Sequence, residues 1–412
     1  MLSQTEKLNS IANLGVELSQ IRDLDILMEK ILSEARRFMN ADAGSIYIRK
    51  DDHLNFISYT QNDTIRHRHS EVEKLIYSTF TLPIDEKSIA GYVAAAARSL
   101  NLPDVHRIDP TKPYRFSPYF DEVSDYRTTS VLTIPLVTAK KDVLGVLQVI
   151  NAQDEEKHVI PFSKNDEKMM LHFASIAAVA LERAKVTRAI LLRMIRMAEM
   201  RDPEETGAHV NRVAGYSVEI YEQWAYRNAL PEKKIDATRD ILRMAAMLHD
   251  VGKVAISDVI LKKPSPLTDE EYKIMKQHAV LGARLFWSRQ SDLDDAAAEV
   301  ALNHHERWDG KGYPGYVDVT TGNPLPGYEN RDGPTPGKRG LEIPVFGRIV
   351  ALADVFDALS SARVYKEAWD ETRVIETIYK DSGHRFDPEL VDILISNIHM
   401  IRSIQSRYAD SS

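Results

Sequence analysis

Apolar positions near the start of the chain, Leu8, Ile11, Leu14, Leu18 and Ile21, recur three or four apart and predict a helix with one apolar stripe. The same period continues through Leu24, Leu27, Ile31 and Phe38, and then gives way to alternation. Gly44 to Ile48 and Leu54 to Tyr59 read as strands around the polar turn Arg49 to His53, and Thr79 to Leu82 as a third. Ser88 is placed to cap a helix through Ala97, whereas the stretch Leu102 to Tyr126, rich in Pro and Tyr, reads as irregular. Ser130 to Val137 and Val143 to Asn151 form a hairpin, after which Ser163 or Asn165 caps the next helix. A helix, an antiparallel sheet and a closing helix make an α+β layout of the kind found in sensor domains.

Lys168 to Arg201 contains neither Gly nor Pro, and Val179, Val186, Ile190, Met194 and Met197 fall at helical spacing along it. One long amphipathic helix is therefore expected, and with the Leu8 to Ile21 stripe it can build a parallel or antiparallel bundle across a homodimer. Beyond Asp202-Pro203 the chain becomes mostly helical, with helical period in Ile241 to Leu248, Asp269 to Phe286, Asp294 to His305, Ile343 to Leu359 and Thr372 to Lys380. Gly315 to Glu342, with six Gly and four Pro, cannot form a regular element and is expected to be a long loop.

Length changes this picture little: 412 residues suggest two domains with a connector. No apolar run approaches the roughly 20 residues that span a bilayer, and the first residues lack a secretory pattern, so a cytoplasmic location is expected. The absence of cysteine excludes disulfides, iron–sulfur clusters and thiol nucleophiles, and leaves metal binding to His and carboxylates. A formal net charge of -8 argues against a duplex nucleic acid partner but not against a small anionic ligand, whose field bound cations can supply.

Such donors are concentrated between Glu205 and Asp354. Glu205 and His209 are four apart and share one face if the segment is helical. His249 and Asp250 are adjacent, so on a helix each could serve a different metal, or Asp250 could bridge two; Lys253 returns to the Asp250 side, placed to neutralise phosphoryl charge. His278 follows, and then the pair His304-His305, which again offers one imidazole to each of two sites. These are too many donors for one tetrahedral site, and predict two or three divalent ions doing hydrolytic phosphate chemistry, with iron or manganese suiting the ligand set. Gly312-Tyr313-Pro314 forms a turn whose backbone can approach a ligand, and Arg363, Tyr365 and Lys366 make a phosphate clamp.

Two resemblances follow from these residues. The order of elements from Leu24 to Leu181, with the phrase Val143 to Asn151, resembles GAF domains, which implies an N-terminal GAF-like sensor domain for an unknown small ligand. Asn151, Phe162, Asp166 and Glu167 are similar to the Asn-Lys-Phe-Asp-Glu signature of nucleotide-binding GAF domains, but Ala152 stands where its Lys would be, and these residues can equally cap and anchor the last helix. The run HDxGK, His278, the His pair ahead of GYP, and Asp354 resemble the HD-GYP phosphodiesterases over about Ile190 to Asn397.

That second resemblance implies a C-terminal all-α domain that hydrolyses cyclic di-GMP to linear pGpG, and in some members on to GMP. It implies metal ligands Glu205, His209, His249, Asp250, His278, His304, His305 and Asp354, with Glu205 the extra carboxylate of members holding three metals. It further implies Asp250 and Lys253 in catalysis, and Lys253, Gly312, Tyr313, Pro314, Arg363 and Lys366 at the substrate. The expected organisation is an N-terminal helix at 1–22, the sensor domain at 23–182, the connecting helix at 168–201 and the phosphodiesterase domain at 190–412. The alternatives are a cyclic di-GMP receptor or scaffold with vestigial hydrolysis, and a hydrolase of another cyclic dinucleotide or nucleotide. Ile343-Pro344 arrives some twenty residues later than the family pattern, and the intervening Tyr316, Tyr328, Arg331, Lys338 and Arg339 form either a lid over an anionic substrate or an indifferent loop.

Overall fold

A computed structural model describes residues 14–62, 80–124, 126–199, 207–330, 335–361 and 369–408. Of the positions singled out above, Leu8, Ile11, Thr79, Arg201, Asp202, Pro203, Glu205, Arg331, Arg363, Tyr365 and Lys366 lie outside those residues. Contacts divide the chain into one unit ending at Arg188 and a second beginning at Ala189.

In the first unit, residues 14–20 are helical and precede α1, Leu24–Met39, whose start is fixed by Asp23 accepting from the amides of Asp25 and Ile26. The sheet comprises β1 (Ala41–Lys50), β2 (His53–Asn62), β3 (Phe80–Pro83), β4 (Leu100–Leu102), β5 (Val131–Val137), β6 (Val143–Gln153) and β7 (Val159–Ile160). All pairings are antiparallel, in the order β3-β2-β1-β6-β5-β4, with β7 on β6. Alternation assigns the two faces. Ile46, Ile48, Leu147 and Val149 pack with α1 and Phe173, whereas Tyr47 and Val146 pack with Ala90, Val93 and Ala94 of α2, Ile89–Ala96. Ser88 caps α2 through the Gly91 amide, as expected.

The stretch Leu102 to Tyr126 is less irregular than its composition suggested: a 3₁₀ turn forms at Val105–Arg107 and a short helix, α3, at Tyr119–Ser124. Asn151 holds that segment to the sheet, accepting from the Thr129 and Ser130 amides and donating to the Arg127 carbonyl and Tyr126 hydroxyl. Asp166 and Ser163 reciprocally cap the next helix, Ser99 bonds to Glu167, and Phe162 is buried. All four signature-like residues thus have local structural partners or core positions.

That helix, α4, runs unbroken over Lys164–Glu199. Phe173, Ala177 and Leu181 lie in the core of the first unit, and Ile195 in the core of the second. Val179, Val186, Ile190, Met194 and Met197 are exposed.

The second unit is built on α5 (Gly207–Arg227), α6 (Glu232–Met247), α10 (Asp292–Asn303) and α11 (Val345–Ser360), whose apolar stripes meet in one core. Between α6 and α10 lie α7 (Asp258–Leu261), α8 (Asp269–Lys276) and α9 (His278–Leu285); α12 (Glu371–Lys380), α13 (Pro388–Ser396) and α14 (Ile398–Arg407) close the unit. Asp269 to Phe286 is therefore two helices, not one. The Gln277 amide bonds back to Ile274, three residues earlier, and this tightened turn ends α8 before His278 opens α9.

Candidate metal centre

Every candidate donor among the described residues sits at or next to a helix of this core. His209 lies in the first turns of α5, His278 at the first residue of α9, and Asp354 within α11. His249 and Asp250 are not on a helix, contrary to expectation: α6 stops at Met247, and a run of three-residue hydrogen bonds carries the chain into a 3₁₀ turn, Val251–Ala255. Positions three apart eclipse in that geometry, so Lys253 Nζ reaches Asp250 Oδ2 at 2.8 Å. A Cβ on Gly252 would lie 2.0 Å from the His278 carbonyl oxygen, so only glycine lets this turn press against α9.

The donors fall into two groups: Asp250, His278, His304 and His305 in one, His209, His249 and Asp354 in the other, with ligand atoms in each group within 4.8 Å of one another. The expectation that His304 and His305 serve separate sites is corrected. Because α10 ends at Asn303 and His304 is its C-cap, the two rings lie with centroids 4.0 Å apart in the same group. Asp250 stands between the groups. Its Oδ1 is 3.1 Å from His278 Nε2 and 3.3 Å from His304 Nε2, while its Oδ2 is 3.5 Å from His249 Nε2. Asp354 Oδ1 is 3.5 Å from His209 Nε2 and 4.0 Å from His249 Nε2.

The chemistry of this donor set fits divalent cations. Nδ1 of His249, His278 and His304 faces the carbonyl of Ala246, Met275 and Ala301 at 2.9, 2.8 and 3.0 Å. A carbonyl can only accept, so Nδ1 carries the proton and Nε2 presents a lone pair to the common centre. Burial lowers the His304 pKa, and lowers that of His305 well below the usual imidazole value, so both rings stay neutral. Burial alone would raise the Asp250 pKa, but the Lys253 ammonium beside it holds it well below the carboxylate range. Neutral imidazoles around ionised carboxylates are what a buried cation requires.

Sequence reasoning missed the residues that hold these ligands. Asp357, one turn beyond Asp354, accepts from His209 Nδ1 at 2.8 Å and takes both Nε and a terminal nitrogen of Arg212 at 2.7 and 3.0 Å. Glu306, directly after the His pair, accepts from the amides of Gly315 at 2.6 Å and Lys338 at 3.1 Å. It thereby fastens both ends of the long loop to the end of α10. Tyr313, whose amide bonds to the His305 carbonyl, stacks its ring on His305 with centroids 4.7 Å apart, and a cis peptide joins it to Pro314. Gly315 has φ +79°, and a Cβ there would meet the Pro336 carbonyl at 2.0 Å. Further out in the loop, Tyr316 and Tyr328 stack on each other at 3.9 Å. The i,i+3 spacing of Asp354 and Asp357 on one helix was the available signal for the first of these supports; nothing local announced Glu306.

A helical unit presenting paired His and Asp donor groups, joined by α4 to an antiparallel sheet flanked by helices, defines a two-domain protein with a candidate metallohydrolase centre. Residues 206–359 match the HD domain family and residues 23–181 the GAF domain family, so the chain joins a GAF domain to an HD domain. The chain is 32% identical over 297 residues to the 3'3'-cGAMP-specific phosphodiesterase 2 of Vibrio cholerae, covering 70% of this chain and 50% of that protein. It is 37% identical over 237 residues to a cyclic di-GMP phosphodiesterase of the same organism, covering 55% and 43%. It is also 37% identical over 225 residues to the cyclic di-GMP phosphodiesterase response regulator RpfG of Xanthomonas campestris, covering 55% and 52%. The chain thus spans about half the length of these curated relatives. Among the described residues no helix is long and apolar enough to cross a membrane.

Proposed function

We propose that the protein is a metal-dependent phosphodiesterase of cyclic dinucleotides, with cyclic di-GMP as substrate and linear pGpG, or GMP after a second cleavage, as product. The observation that carries this reading is Asp250, a buried carboxylate with one oxygen toward each of two donor groups. His209, His249 and Asp354 would hold one cation and Asp250, His278, His304 and His305 the other, with Asp250 shared. Glu205 is the candidate for a third. The histidine and carboxylate set suits iron or manganese. When bound, such cations supply Lewis-acid charge to the phosphodiester and lower the pKa of an attacking water.

The chain's own residues do the rest. Lys253, held against Asp250, places a positive charge where phosphoryl charge grows. Asp250 is ionised and placed to take the proton of the attacking water. Tyr313, stacked on His305, walls the centre on one side, and Gly312 and Pro314 set the turn that presents it. Arg363 and Lys366 complete the phosphate contacts in this reading. The exposed apolar stripe of α4 supports a homodimer, and α4 is the covalent route by which a small ligand of the GAF domain would regulate hydrolysis. A cytoplasmic location belongs to the same proposal.

The Vibrio relative specific for 3'3'-cGAMP favours a second reading, in which that mixed dinucleotide is the substrate. Chromatography of products from cyclic di-GMP and 3'3'-cGAMP, each incubated with manganese- or iron-loaded protein, decides between them. Faster loss of cyclic di-GMP, with pGpG or GMP appearing, supports the first reading. Faster loss of the mixed dinucleotide supports the second, and binding without cleavage of either would make the protein a receptor.

A further inference from the structure

Helix α8 contributes no buried residue, yet it is firmly started by a capping box between Thr268 and Glu271. Its one aromatic residue, Tyr272, is 47% exposed and so is not spent on packing. One turn later, Lys276 Nζ sits 4.5 Å from the Tyr272 ring centroid and 5.1 Å from that of Tyr313. Among the described residues Lys276 enters no ion pair. The second ring comes from the distant GYP turn and is the same ring that stacks on His305 and lies edge-on to His278 at 6.3 Å. A contiguous path of His305, Tyr313, Lys276 and Tyr272 therefore leads outward from one donor group to an exposed aromatic face.

A cation between two π faces is stabilised as the charged form but not neutralised, which leaves it available to an anion. Resting on the phosphodiesterase reading, the shape of the substrate supplies that anion. A cyclic dinucleotide carries two phosphodiesters across one ring and a purine on each nucleotide. When one diester lies at the metal donors, the other lies away from them, accompanied by its base. We infer that Lys276 and Tyr272, with Tyr313, form the subsite for the uncleaved half of the substrate: Lys276 binds the second phosphate and the open face of Tyr272 stacks a purine.

The subsite is tested by steady-state kinetics of Tyr272→Ala, Lys276→Ala and Lys276→Arg in the metal-loaded full chain, on cyclic di-GMP and on the small diester methyl 4-nitrophenyl phosphate. Each alanine variant is expected to raise KM for cyclic di-GMP about ten-fold with the loss falling on KM more than on kcat. The small diester, which has no second phosphate or purine, should lose several-fold less, and Lys276→Arg should recover most of the loss. An unchanged KM for cyclic di-GMP, or equal losses on the two substrates, would overturn the subsite while leaving the hydrolase standing. Failure of the unsubstituted protein to cleave any cyclic dinucleotide would instead remove the functional reading, and the subsite with it.

Discussion

His209 is held between two carboxylates of one helix: Nδ1 lies 2.8 Å from Asp357 Oδ2, and Nε2 lies 3.5 Å from Asp354 Oδ1 a turn earlier on α11. Burial alone would raise the Asp357 pKa, yet hydrogen bonds from His209 and Arg212 keep it below the ordinary carboxylate value. Its charge fixes the tautomer of His209, and Arg212 fixes Asp357 in turn. Asp357→Asn should therefore weaken metal binding about 10- to 100-fold without touching a ligand. Titrating metal into stripped protein measures this, and an unchanged affinity would show that the pair only packs the core.

Acid should loosen the metal-free protein through its histidines. Burial depresses the pKa of His304, and of His305 further, from the ordinary value of 6.5. Above that value the rings are neutral in both folded and unfolded chains and contribute no pH dependence. Below it the unfolded chain takes up protons that the folded one refuses, so stability falls as pH drops from 6.5 toward the lower folded values. Asp250, depressed well below 3.8, supports the fold throughout that interval and loses its contribution only in stronger acid. Urea midpoints of stripped protein should be flat from about pH 7.5 to about pH 6.5 and decline toward about pH 5. A midpoint that held or rose on acidification would contradict the neutral, buried imidazoles.

The stripe on α4 carries the proposed dimer. Val179, Val186 and Ile190 are 64%, 55% and 51% exposed, unusually open for aliphatic residues repeating along one helix. Val186→Glu should shift the protein from dimer to monomer by at least about ten-fold in dissociation constant, read by analytical ultracentrifugation. A wild-type protein that sediments as a monomer would remove the idea outright.

The sequence was most legible where a period is long or a residue type is chemically unusual. Five of the seven described strands, the caps at Ser88 and Ser163, the long α4 and the donor set from His209 to Asp354 show in the pattern, whereas the two- and three-residue strands β7 and β4 are too short to show a period. Breaks in helices were not legible, because Gln277 and Leu248 are ordinary helix residues and neither position is a Gly or Pro. Helix ends decide the site. The break at Leu248 leaves Asp250 as the cap of a 3₁₀ turn that carries Lys253, and the end of α10 at Asn303 gathers His304 and His305 into one group, which adjacent positions on a helix would have spread. Glu306 was invisible because its partners, Gly315 and Lys338, are backbone amides brought together only in three dimensions.

The shared carboxylate offers the most direct measurement. Metal content and cyclic di-GMP turnover should be determined together for the unsubstituted protein and for Asp250→Ala, each supplied with excess manganese or iron. The account predicts at least one cation for each donor group in the unsubstituted protein, and a third if Glu205 also serves as a ligand. For the variant it predicts loss of metal and a fall in turnover of at least about a hundred-fold. Near-normal cleavage by Asp250→Ala under the same conditions would contradict it.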